Sequence, residues 1–223
     1  VFMTEFVKLM RDPALWDRSV LLQALIIYVI YLILVWAWPR YRGQPDRMTT
    51  RAKWLLFTLG TIVFYLSFGS PLDDISDDDL FSVHMFQHLL EMMVMTPLWL
   101  AGMPSWLLRR LFSFFWMGPR TFNPVVTVIV FNAVFFSFHI PLLYNETLAS
   151  EWFHLFEHVL FFVAAVLLWM PVISPLPEIS RLKPGALLLY SFLTVNFALP
   201  GQTLRALDPH PFYTEAPIVR GLL

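Results

Sequence analysis

Long apolar runs separated by short polar stretches dominate this chain. Six stand out, at about 19–38, 52–71, 80–101, 123–144, 151–173 and 185–203. About 20 apolar residues cross a hydrocarbon core of roughly 30 Å as a helix, and each run is of that order. Backbone groups in lipid must be satisfied internally, which favours helices. The pattern therefore predicts an all-α, polytopic membrane bundle, six transmembrane helices in a single domain 1–223. Trp36, Trp38, Trp54, Trp99 and Trp169 fall near run ends, as interfacial anchors do. The stretch from Pro104 to Met117 mixes Trp106, Leu107 and Phe112 with Arg109 and Arg110, and reads as an interfacial helix.

The polar stretches orient the bundle. Arg40, Arg42, Arg47, Arg51 and Lys53 lie between spans one and two, Arg109, Arg110 and Arg120 between three and four, and Arg181 and Lys183 between five and six. These alternate loops hold ten of the fifteen basic residues, so the positive-inside rule places them in the cytoplasm. Asp73, Asp74, Asp77, Asp78 and Asp79 lie on the opposite side, where they read as a solvated loop, with attraction of cations to an outer site as the lesser alternative. Both termini then face outwards from the cell membrane. The first run is too long for the core of a signal peptide and reads as a retained span.

Composition narrows the class further. Hydrophobic residues make up 58% of the 223 positions and charged residues 14%, against roughly a quarter charged in an average soluble domain. A net charge of −1 with no basic domain excludes a nucleic-acid binder. With no cysteine there is no disulfide, thiolate zinc site, iron–sulfur cluster or cysteine nucleophile. A soft metal would have to bind through methionine sulfur and histidine nitrogen.

All six histidines fall on the outer side of this topology. His84 and His88 lie in the outer turns of span three, His154 and His158 at the same depth in span five. His139 lies near the outer end of span four, and His210 follows span six. The segment His84-Met85-Phe86-Gln87-His88-Leu89-Leu90 matches His154-Leu155-Phe156-Glu157-His158-Val159-Leu160 at four of seven positions, 70 residues apart. Each places two imidazoles at i and i+4 on one helix face. Glu91, Met92 and Met95 continue the first stripe, and Met85 borders it. Mixed imidazole and thioether suits Cu(I); imidazole alone also suits Cu(II) or Zn(II). Glu91 and Glu157 are costly in hydrocarbon and fit the role of orienting a histidine or relaying a proton. Met93, Met95 and Met103 read as gap-filling apolar side chains.

Three functions accommodate these residues. One is an outward copper site for handling or delivery. A second is a b-type haem redox protein, ligated by one histidine from each of two helices. A third is an intramembrane metalloprotease, since His154-x-x-Glu157-His158 has the inverted zinc-protease form. Haem calls for neither paired histidines on each helix nor neighbouring methionines. The sister motif has Gln87 where a protease would need its glutamate.

Gly69-Ser70-Pro71-Leu72-Asp73, the block from Leu80 to Leu90, Pro97-Leu98 and Gly102-Met103-Pro104 together resemble the caa3-type CtaG family. Phe138-His139-Ile140-Pro141-Leu142-Leu143-Tyr144, then His154, Glu157-His158 and Trp169-Met170-Pro171-Val172, agree with that resemblance. Tyr190, Pro200-Gly201 and Pro211-Phe212-Tyr213 follow it more loosely. It implies a copper-linked assembly factor for caa3 cytochrome c oxidase, neither an enzyme nor an oxidase subunit. The family usually continues into a further, seventh helix that opens with an Asp-Gln pair and a glycine; the resemblance implies either such a helix beyond Leu223 or a shorter member of the family. The expectation is thus an outward Cu(I) site between spans three, four and five. His84, His88, His154 and His158 form its core, with His139 nearby, Met85 and Met92 as softer ligands, and Glu91 and Glu157 behind them. Its partners would be oxidase subunits or another copper chaperone, the lipid bilayer, and a second copy in a homo-oligomer.

Overall fold

The computed structural model describes residues 12–41, 50–73, 81–115 and 117–194, with no strand among them. Arg42, Arg47, the acidic residues 74–79, the last part of the sixth run and His210 lie outside the described residues. The helices are α1 (18–41), α2 (Arg51–Phe68), α3 (81–102), α4 (Ser105–Phe114), α5 (Pro124–Phe138), α6 (Pro141–Ala149), α7 (Glu151–Ile173) and α8 (Pro184–Thr194). One compact unit runs through Leu98 and a second begins at Trp99. Arg18–Arg40 and Glu151–Ile173 are long and apolar enough to cross a membrane, while Pro124–Phe138 and Pro184–Thr194 are shorter apolar helices.

In the first unit, α1 and α2 pack antiparallel. Asp17 caps α1 by accepting a hydrogen bond from the Ser19 N–H at 2.6 Å, and its own N–H donates to the Gly69 carbonyl beyond the end of α2. Tyr31 stacks on Phe57 with centroids 3.7 Å apart, and the hydroxyls of Tyr28 and Thr58 lie 3.2 Å apart. Aromatic pairs close both ends, Trp16 with Tyr65 and Trp36 with Trp54. A Cβ at position 69 would stand 2.6 Å from the Tyr65 ring, so any other residue there would force that ring to shift. The outer stripe of α1 is apolar and open: Leu22, Leu25, Ile26, Val29, Ile30 and Ile33 are each about half exposed.

Two helices widen into π turns, Ile33–Ala37 in α1 and Leu90–Met95 in α3. In each case a proline, Pro39 or Pro97, follows two residues after the wide segment. Proline has no N–H for the carbonyl four residues back, and its ring clashes with that carbonyl. A wider turn relieves the clash and hands the bonding to residues one step out of phase. Thr96 accordingly donates both its N–H and its hydroxyl to the Glu91 carbonyl.

In the second unit α7 packs along α5 through Phe135, Phe138 and Phe161, with ring centroids 5.6 Å apart in both the 135–161 and the 138–161 pair. Such aromatic pairs contribute about 0.5–1.5 kcal/mol each beyond area burial. Tyr190 of α8 joins the bundle by polar bonds, its hydroxyl 2.9 Å from that of Thr127 and 2.8 Å from the Leu168 carbonyl. Ser150 caps the start of α7, and Ser174 ends it in the left-handed region at φ 48°. A core of Leu100, Leu108, Phe112, Phe122, Met170, Leu176 and Ile179 seats the amphipathic α4. Arg109 pairs with Glu178 at 2.6 Å on the exposed face of that seat.

The fourth apolar run departs from a single helix. It breaks after Phe138, and α6 begins at Pro141. Pro141 disfavours helical backbone at the residue before it, and Ile140 is extended at φ −75°, ψ 132°. The stretch 145–149, between the fourth and fifth apolar runs, is the second half of α6.

Candidate metal centre

His84 and His88 stand one turn apart on α3, both buried. Their Nε2 atoms are 2.8 Å apart and their rings meet edge to face at 87°. Nδ1 of His88 lies 4.0 Å from a carboxylate oxygen of Glu91, which is itself buried at the start of the π turn. Met92 is buried in the same turn, and Met85 is half-buried beside His84. The helix is held against α2 by Gln87, fully buried, whose amide donates to the Ser67 carbonyl at 2.9 Å and to Asp73.

The second unit carries the matching pair on α7. His154 and His158 are half-buried, with Nε2 atoms 3.1 Å apart and rings tilted at 44°. Glu157 between them is buried. His139 ends α5 and is buried, with Nδ1 2.6 Å from the Phe135 carbonyl. Only an N–H can serve a carbonyl, so His139 carries its proton on Nδ1 and its lone pair on Nε2.

The donor chemistry fits a metal ion. Ligand nitrogens bound at about 2.0–2.1 Å, at angles between square and tetrahedral, stand about 2.8–3.4 Å from each other. Both Nε2 pairs, at 2.8 and 3.1 Å, have that separation. Facing lone pairs repel, so an uncharged pair with no ion must keep one N–H between them. A tautomer shift that carries this proton to Nδ1 of the same ring frees both Nε2 lone pairs for one ion.

Each expected histidine pair is thus brought together on its own helix, and Glu91 stands behind His88. Gln87 as a structural donor was not foreseen, nor was the π turn that carries Glu91 and Met92. The signals were present in Pro71 and Pro97, which deprive defined carbonyls of their usual partners. No curated protein and no solved structure matches the chain. The model of the cytochrome c oxidase caa3 assembly factors matches residues 29–216. With that match over most of its length, and with the histidine helices inside it, the chain belongs to the Caa3_CtaG family of cytochrome c oxidase assembly factors.

Proposed function

We propose that this assembly factor is a six-span protein of the cell membrane that receives copper at its outer face and passes it to a caa3-type oxidase. The observation that supports this most is the pairing of Nε2 atoms at ligand separation on both α3 and α7. His84, His88, His154 and His158 supply the nitrogens, and His139, with its lone pair on Nε2, a further one. Met85 and Met92 act as softer ligands that exchange first, and Glu91 and Glu157 steady the imidazoles. Without a thiolate the grip is moderate, and copper leaves by replacement of one ligand at a time. The copper is cargo, not a resident cofactor, and no substrate is turned over.

The half-exposed apolar stripe on α1 and the two membrane-length helices support the membrane reading. Two ligand nitrogens on one helix, 2.8 Å apart, suit a single small ion better than haem, whose axial nitrogens lie on opposite faces of the ring. The test is transfer. Purified protein loaded with Cu(I) is mixed with an apo copper domain of the oxidase, and the metal is followed by size separation. Copper should appear on the acceptor, and no Soret band should accompany the purified protein. If copper stays put while a strong chelator strips it readily, delivery is wrong.

A further inference from the structure

The end of α2 has a carbonyl that its own helix cannot serve. The Ser67 carbonyl would ordinarily accept the N–H of residue 71, but that residue is Pro71. Ser67 is fully buried, so water cannot substitute. Gln87 does, from 20 positions along the chain, with its amide nitrogen 2.9 Å from that oxygen. A side-chain amide has two N–H groups, and the same nitrogen also donates to the Asp73 carboxylate. Gln87 therefore ties α3 to both the last turn of α2 and the segment that leaves it.

The place of this tie on α3 matters. Gln87 lies three residues after His84 and immediately before His88, within the turn that joins the two rings. Fixing its side chain fixes the rotation and depth of α3 at that turn, at about 1.5 Å of rise per residue. Glutamate cannot do the same work, because a carboxylate would face a carbonyl and a second carboxylate with nothing to donate. The α7 motif has Glu157 at the matching position.

Building on the reading that the His84–His88 pair binds copper, we infer that Gln87 is a positioning residue: by donating to the Ser67 carbonyl and Asp73 it clamps the turn of α3 that carries the two imidazoles, whose spacing the helix itself sets. It touches no copper itself. Its loss misaligns the nitrogens while leaving both of them present.

The test uses the full chain in detergent, with Cu(I) affinity measured by competition against a chromophoric Cu(I) chelator and nitrogen ligation by X-ray absorption. Gln87→Glu should weaken Cu(I) binding about 10–100-fold, as loss of a ligand-orienting contact does, and should lower the nitrogen count. Asp73→Asn keeps an acceptor for Gln87 and should leave affinity within about twofold of the parent, far from that loss. When Asp73→Asn is combined with Gln87→Glu, the amide introduced at position 73 can donate to the carboxylate introduced at position 87. The double variant should therefore recover part of the affinity. It also carries the test if Gln87→Glu alone fails to fold. Parent affinity and nitrogen count in Gln87→Glu, or in the double variant if that alone folds, would overturn the positioning role. A parent protein that binds no copper, or His88→Ala with undiminished copper, overturns the copper reading and this inference with it. Copper lost in His88→Ala but unchanged in Gln87→Glu overturns the inference alone.

Discussion

The two histidine helices look like copies in sequence and differ in how they are held. On α3 both imidazoles are buried, Gln87 ties the turn between them to α2, and a π turn follows immediately. On α7 both imidazoles are half-buried, an acidic residue occupies the Gln87 position, and the helix continues regularly to Ile173. The rings stand edge to face in one pair and tilted in the other. The same i, i+4 spacing thus yields a clamped pair and a looser one. Ligand spacing comes from the helix, but rigidity comes from what the intervening residues bond to.

The largest effects should come from removing one nitrogen of each pair. His88→Ala should abolish retained copper, and His158→Ala should reduce it strongly, with helical content unchanged by circular dichroism; elemental analysis of purified protein reads the metal. Full occupancy in the double variant would end the claim that either pair binds copper. Next comes an exchange of the middle residues. Gln87→Glu should cost about 1–3 kcal/mol of stability, because the buried Ser67 carbonyl loses its donor. Glu157→Gln should cost less, since an amide of the same shape replaces a carboxylate whose burial is expensive. Thermal unfolding in one detergent compares the two, and equal losses would erase the distinction between clamped and loose helices.

Prolines sharpen the contrast at smaller amplitude. Pro97→Ala restores an N–H for the Met93 carbonyl, so α3 should regularise and copper affinity should shift. Pro171→Ala lies about three and a half turns beyond His158 and should leave affinity alone. An unchanged affinity for both would show that the π turn does not shape the α3 pair.

The smallest effect belongs to a position outside both pairs. Asp17→Ala should cost about 1 kcal/mol, as loss of an N-cap does. The Ser19 hydrogen bonds hold the Asp17 carboxyl below its ordinary value of 3.8. A depressed folded-state value means that this contribution is complete above that ordinary value and fades as pH falls through the lower folded one. The parent and Asp17→Ala should therefore converge in melting temperature in strong acid while copper binding at neutral pH stays the same.

Much of this was legible in the residues. The fifth apolar run covers 151–173, and α7 has those limits. The i, i+4 histidines had to share a face on any helix. What escaped were effects that act through the backbone. The fourth run stays apolar through Ile140, so hydropathy does not register the break that Pro141 imposes. The stripe of His88, Met92 and Met95 assumed 3.6 residues per turn, whereas the π turn at Leu90–Met95 is wider and moves those methionines off that phase. Gln87 could be read only after asking which carbonyl Pro71 leaves without a donor.

The open apolar stripe on α1 has a colloidal consequence. Leu22, Leu25, Ile26, Val29, Ile30 and Ile33, each about half exposed and uninterrupted by charge, form a surface that water does not wet well. Purified chains in plain buffer should therefore adhere to one another along that stripe, whatever the state of their metal. Dilution below the critical micelle concentration should turn a clear solution cloudy, and Leu25→Lys with Val29→Lys should delay the onset. Light scattering reads this directly, and it sets the amphiphile concentration at which every copper measurement has to be made.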